Sequence, residues 1–275
     1  MNSEIDGLIT ESGASDIALE TLDTETLLQK MNEADKTVAY TVEKALPSIT
    51  ALTQAVYQKL KNGGRLFYIG SGTSGRLGIV DASELPPTFG VSPQKVIGII
   101  AGGDNAVFKA VEFAEDDTEQ GWQDLQAHNI SSEDIIIGIS ASGRTPYTLG
   151  ALQKAKAEKI ATGCIVCNPQ SLIAQVVDFP VELASGPEFI RGSTRLKAGT
   201  AQKMALNMIS TVAMIQLGHI KGNVMVDMQL SNEKLIERGT RILIEQTGLS
   251  YREAREKLIY WGSVRLALEK WNIKN

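Results

Sequence analysis

The 275-residue chain predicts an α/β fold: a parallel sheet sandwiched by helices, with N-terminal helices before it and a short C-terminal helical tail after it. Three observations lead there. Short apolar, β-branched runs alternate with amphipathic stretches, the pattern of βα units with right-handed crossovers and a sheet covered on both faces. Two of those runs end in glycine- and serine-rich turns that open helices. Apolar content of 43% and a mean hydropathy of −0.05 suit a globular chain long enough to bury a large core.

From about Leu22 to Lys61 apolar residues recur at helical spacing: Leu27, Leu28, Met31, Ala34, Val38, Val42 and Leu46. Pro47 breaks that run. A second helix carries Ile49, Leu52, Val56 and Leu60 and stops at Asn62-Gly63-Gly64. Strands are expected at 65–69, 96–101, 135–139 and 162–167, with a further one at 178–183; helices between them span about 74–84, 105–115, 118–128 and 146–158. A long helix over Leu196–Gly218 carries Ala198, Ala201, Ala205, Met208 and Val212 on one face, small enough for another backbone to approach. Another covers Gln229 to Gln246, and two short ones follow Gly248. This divides the chain into a helical segment at 1–62, a central α/β domain at 63–222 and C-terminal helices at 223–275.

Several function classes drop out. Net charge is −5 with no lysine/arginine run, which argues against a nucleic-acid groove. No apolar run approaches the ~20 residues of a membrane span. Met1-Asn-Ser-Glu-Ile-Asp6 is acidic where a secretory leader is basic, so a cytoplasmic protein is expected. Cys164 and Cys167 lie in a β-branched run before Asn168-Pro169, so their Cys-x-x-Cys reads as buried packing rather than a helix-opening redox pair. His128 and His219 are isolated from any ligand pattern, and His219 suits a cation near a helix C-terminus. No metal or other cofactor is expected, and proton transfers would fall to carboxylates.

The two turns carry the chemistry. Gly70-Ser-Gly-Thr-Ser-Gly-Arg76 follows Arg65–Ile69, and Ser140-Ala-Ser-Gly-Arg-Thr-Pro146 follows Asp134–Ile139. A buried strand ending in Gly and Ser before a helix builds a cup of N–H groups and hydroxyls that holds a phosphate. Thr73 and Ser74 would cap a helix beginning near Gly75; Thr145 and Pro146 form an N-cap/N1 pair. Helix capping alone accounts for one such turn, whereas two in one sheet point to a phosphorylated small molecule. Neither matches Gly-x-Gly-x-x-Gly or the nucleotide P-loop.

In these surroundings the turns resemble the paired phosphate loops of a sugar isomerase (SIS) domain, a flavodoxin-like fold. Further segments narrow the resemblance: Gly75-Arg-Leu-Gly-Ile-Val-Asp-Ala-Ser-Glu-Leu-Pro-Pro-Thr-Phe-Gly90, Ile100-Ala-Gly-Gly103, Ala110–Asp116, Gly192-Ser-Thr-Arg-Leu-Lys-Ala-Gly-Thr-Ala-Gln-Lys203, Asn223–Asp227 and Asn232–Leu235. Together, from about residue 5 to 248, they are similar to the N-acetylmuramic acid 6-phosphate etherase family. The resemblance implies cleavage of the D-lactyl ether at C3 of a ring-opened amino-sugar phosphate, with a base near C2 and an acid near the ether oxygen.

It further implies that Glu84 and Glu115 are the two catalytic carboxyls and that Ser74, Ser140, Ser142 and Thr145 take the phosphate. Glu84 is expected at the end of a helix stopped by Pro86-Pro87, where the negative terminus would favour its protonated form. Glu115 lies among Glu112, Asp116, Asp117 and Glu119, a run that a solvated acidic helix end would also explain. Arg76 and Arg144 could add charge, and Lys197 could approach the lactyl carboxylate. SIS domains associate, so a homodimer is the expected partner state besides the sugar phosphate. Relative to the family, about 25–30 residues are expected to be missing between Gly248–Leu258 and Gly262–Glu269. A phosphosugar isomerase and a non-catalytic phosphosugar-sensing regulator are the alternatives on the same fold.

Overall fold

The computed structural model describes residues 7–13 and 18–274; the acidic Met1–Asp6 stretch lies outside them. Five parallel strands, β1 (Leu66–Gly70), β2 (Val96–Ile100), β3 (Ile135–Ser140), β4 (Ala161–Val166) and β5 (Phe179–Glu182), pair in the order β2-β1-β3-β4-β5. Around them lie α1 (Thr24–Lys44), α2 (Leu46–Lys61), α3 (Gly72–Phe89), α4 (Asn105–Phe108), α5 (Gln120–Ala127), α6 (Pro146–Ala157), α7 (Leu172–Val176) and α8 (Lys197–Gln216). A two-residue hairpin pair, β6 (Ile220–Lys221) and β7 (Val224–Met225), leads to α9 (Glu233–Thr247), α10 (Tyr251–Trp261) and α11 (Val264–Lys274).

Period-two alternation sorts the strand side chains into two cores. Leu66, Tyr68, Ile135, Ile137, Ile139 and Ile165 pack with Val42 of α1, Leu52 of α2, Leu85 of α3 and Leu206 of α8. Phe67, Ile69, Ile136, Cys164 and Val166 pack with Leu125 of α5, Leu152 of α6 and Ile173 of α7. The two cysteines thus fall on opposite faces of the sheet, both as free thiols that burial pushes up to about 12. They are inert packing groups, as the β-branched context predicts.

The expected strands all form, within a residue or two of their expected ends. Two helices differ. The helix expected to stop before Pro86-Pro87 continues to Phe89 and ends at Gly90, whose φ of 67° and N–H to the Pro86 carbonyl close it. The prolines remove two intrahelical donors, but Leu85 and Phe89, four residues apart, are both buried in the core. Packing outweighs the lost bonds. The helix expected over 105–115 shrinks to α4, because Phe108 and Phe113 are exposed and provide no buried stripe to hold a longer one.

The C-terminal helices have their own core of Met228, Leu243, Leu258 and Val264. An ionic clamp joins them to the α/β unit. The Arg265 guanidinium donates to both Asp227 carboxylate oxygens at 2.6 and 2.7 Å and to the Gly218 carbonyl at 2.5 Å, while His219 Nδ1 lies 2.9 Å from Asp227 Oδ2. His219 therefore pairs with a carboxylate rather than with the end of α8.

A second clamp fixes the start of β1 against β3. Asp134, almost fully buried, accepts from the Arg65 amide at 2.9 Å, from its guanidinium at 3.1 and 2.8 Å, and from the Ser131 amide at 2.9 Å. Burial alone would raise the Asp134 pKa; the bonds from Arg65 and Ser131 outweigh it and hold the carboxyl below its usual range. A depressed folded-state pKa gives stability that is complete above the unfolded value and lost as pH falls through the folded one. Asp134→Asn should therefore lower unfolding free energy by about 2–3 kcal/mol at pH 7 and by much less near pH 3. Urea denaturation of both proteins at the two pH values measures the difference.

Candidate phosphosugar site at the sheet switch point

The strand order reverses between β1 and β3, and ligands on such sheets bind in the crevice beyond the carboxyl ends of the strands at that point. Both hydroxyl-rich turns leave those two strands. Gly70 pairs with Ile139 in the parallel register, so the turns start side by side. The approach is close enough to require glycine: a Cβ on Gly70 would lie 2.7 Å from the Ile139 carbonyl, and one on Gly75 would lie 2.7 Å from the Gly70 carbonyl.

In the first turn α3 begins at Gly72, with Ser71 as N-cap, three residues before the expected start. Thr73 and Ser74 are consequently inside its first turn. The first intrahelical bond runs from Gly75 N to Ser71 O, so the amides of Gly72, Thr73 and Ser74 form the positive helix terminus. The Ser74 hydroxyl is buried and donates to Gln202 Oε1 on α8 at 3.0 Å. Ser71, which the sequence reading passed over, donates its hydroxyl to Glu115 Oε2 at 2.8 Å. That bond brings the Glu115 carboxylate to the mouth of the turn. Both line a hollow of about 250 Å3 with Gly72, Arg76, Ala101 and Val111. Arg76 donates to the Val107 carbonyl at 2.9 Å.

The second turn presents hydroxyls. Ser140 Oγ lies 2.8 Å from Thr145 Oγ1 and 3.3 Å from Ser142 Oγ. The amides of this turn are engaged: Gly143 N donates to Ser140 Oγ, Arg144 N to Ser142 Oγ, and Tyr147 N to the Glu115 carbonyl. Thr145 is the N-cap of α6 and Pro146 its first residue, but the Thr145 hydroxyl turns to Ser140 instead of capping. Gly143, at φ 68°, packs so closely on Ser171 that a Cβ would come within 2.3 Å of its side chain. The Tyr147–Glu115 bond also ties the segment carrying Glu115 to the second turn. Ser140, Ser142, Thr145, Ser71 and Glu115 thus belong to one neighbourhood.

Glu84 does not join them within the chain. It lies in the interior of α3, exposed, ten residues and about 15 Å along the helix axis from Ser74. The helix-end environment expected for it is absent. It opens instead on a separate groove of about 640 Å3 between α3, α8 and the β6–β7 hairpin, lined also by Asp81, Leu85, Phe89, Lys203, Asn207 and Met225. Lys197 is buried; its ammonium donates to the Ser185 carbonyl at 2.8 Å, and its amide and that of Ala198 donate to the buried Glu188 carboxylate, each at 2.9 Å. It anchors the start of α8.

Sequence reasoning also missed a buried network beside Glu84. Asp81 accepts from Tyr68 OH at 3.0 Å and from Ser210 Oγ at 3.1 Å. The spacing of Lys203, Asn207 and Ser210 along one face of the long helix was the available signal.

Profiles of the SIS domain match residues 110–212, and of the N-terminal SIS domain of glucokinase regulatory protein residues 48–156. Among solved structures, a phosphoheptose isomerase from Francisella tularensis superposes with a TM-score of 0.58 at 17% identity, covering 70% of this chain and all of that one. The likeness is one of fold. In sequence, the chain is 54% identical over 251 residues to the N-acetylmuramic acid 6-phosphate etherase of Christiangramia forsetii, covering 91% of this chain and 92% of the relative. It is 52% identical over 266 residues to that of Porphyromonas gingivalis strain W83, covering 97% of each. The short C-terminal tail is therefore shared with at least that relative. By this identity over nearly its whole length, the chain belongs to the N-acetylmuramic acid 6-phosphate etherase family.

Proposed function

We propose that the protein is a carbon–oxygen lyase that cleaves the D-lactyl ether of N-acetylmuramic acid 6-phosphate, giving N-acetylglucosamine 6-phosphate and D-lactate, in the cytoplasm during recycling of cell-wall sugar. The observation that carries the reading is Glu115, hydrogen-bonded at the mouth of the hydroxyl turns, on a chain about half identical to relatives bearing that name. The turns would hold the 6-phosphate: Ser140, Ser142 and Thr145 through their hydroxyls, Ser74 through its amide at the start of α3.

The chemistry then balances as an elimination and a hydration. A carboxylate removes the C2 proton of the ring-opened aldehyde, whose carbonyl stabilises the resulting enolate. The C3–O bond breaks, and the lactate oxygen takes a proton from a second carboxyl. Water then adds its oxygen to C3 while C2 is reprotonated. One glutamate serves each face of the substrate. Because Glu84 and Glu115 open on different hollows of one chain, the reading requires a homodimer in which the Glu84 groove of one protomer meets the turns and Glu115 of the other.

Purified protein should release D-lactate from the substrate, detectable with a coupled lactate assay; phosphosugar binding without lactate would favour the sensing regulator instead. Glu84→Gln and Glu115→Gln should each lower kcat by at least ~10²-fold. Mixing the two inactive variants under conditions that exchange subunits should restore about a quarter of wild-type activity, since half the dimers then carry one intact site. No recovery on demonstrated exchange would place both glutamates on the same chain's site.

A further inference from the structure

The groove beside Glu84 contains a cation held by a buried relay. Tyr68 OH and Ser210 Oγ donate to Asp81, which is almost fully buried under α8. Asn207 completes the chain once its amide is turned over, the orientation that satisfies both of its atoms: its nitrogen then donates to Asp81 Oδ1 at 3.3 Å and its oxygen accepts from Lys203 Nζ at 2.5 Å. Burial raises the Asp81 pKa despite the bonds from Tyr68 and Ser210 and the nearby Lys203. A buried carboxyl, two hydroxyls and an amide are thus spent on one exposed lysine, whose ammonium keeps two further donors for a ligand. Among the described residues that line the groove, Lys203 is the sole cation, and Leu85, Phe89 and Met225 give it an apolar part beside the carboxyls of Asp81 and Glu84.

Resting on the etherase reading, we propose that Lys203 binds the carboxylate of the lactyl arm and so selects an amino-sugar phosphate bearing an acidic C3 ether. The substrate has two anions. The hydroxyl turns suit its phosphate, and they share no residue with this groove. The carboxylate is joined to the ether oxygen through a single carbon, so a cation that holds it must lie beside the carboxyl that protonates that oxygen. Lys203 and Glu84 line the same groove. Its apolar part suits the lactyl methyl group.

The test uses a non-cleavable analogue in which a methylene replaces the ether oxygen, so that binding is read independently of turnover. By calorimetry, wild type should bind this analogue at least ~10-fold more tightly than N-acetylglucosamine 6-phosphate, as a charge-assisted pair in a partly desolvated groove requires. Lys203→Met should abolish that preference while changing affinity for N-acetylglucosamine 6-phosphate less than ~2-fold; one lost charged hydrogen bond is worth about that tenfold. The analogue's carboxamide should bind wild type no better than the product sugar. Equal affinity of wild type for the acid and the amide overturns the proposal even if the variant fails to fold, as does a preference retained by Lys203→Met. D-lactate release by wild type is scored separately, so failure of the etherase reading is distinguishable from failure of the Lys203 assignment.

Discussion

The close approach of β1, β3 and the start of α3 is the constraint on which the site depends. Gly70, Gly75 and the Ile139 carbonyl meet where any side chain would collide, and this holds the two hydroxyl turns next to each other at the reversal of strand order. Between Gly70, Gly75 and Ile139 the contact is backbone on backbone, with the Ile100 side chain also closing on Gly75. It follows that the turns can vary their hydroxyls without moving, whereas a Cβ at Gly70 would separate the two halves of the cradle. The Arg65–Asp134 clamp acts at the other end of the same strand pair, so β1 and β3 are fixed at both ends.

Much of this was legible in the chain. Short apolar runs located the strands at 65–69, 96–101, 135–139 and 162–167, because strands covered on both faces need nearly continuous apolar character, whereas the edge strand at 178–183, with Pro180 and only Val181 buried, is the weakest of the five in sequence. The turns announced themselves through composition. What sequence periodicity could not show was tertiary compensation. A Pro-Pro pair reads as a helix stop, yet burial of Leu85 and Phe89 carries α3 past it, and this moves Glu84 from a helix end to a helix interior. Equally, an acidic run after Asn105 reads as amphipathic helix, but exposed Phe108 and Phe113 leave that segment irregular, with Glu115 fixed by Ser71 instead of by helix geometry.

Hydroxyl capping shows the same limit at finer scale. Serines and threonines at a helix start predict caps, yet Ser71 as N-cap of α3, Ser74 inside its first turn and Thr145 as N-cap of α6 make no capping bond. Their hydroxyls go to Glu115, Gln202 and Ser140. A helix start whose cap residues are diverted to other partners leaves its own amides to be satisfied by solvent or ligand. At α3 this gives a more electropositive terminus than capping would, and an anion at that terminus restores what the caps do not supply.

The two lysines of α8 illustrate how burial decides which charge can meet a substrate. Lys197 and Lys203 lie six residues apart on one helix, and charge complementarity alone cannot separate them. Lys197 is enclosed, its ammonium satisfied by a carbonyl and its amide by Glu188, so reaching a ligand would first break the start of the helix. Lys203 stands at an open groove, where Asn207, with its amide turned to satisfy both atoms, links it to the buried Asp81. A preorganised cation of this kind loses little side-chain entropy when an anion arrives. The polar groups beneath it would otherwise be an expensive way to join two helices that small residues already let pack closely.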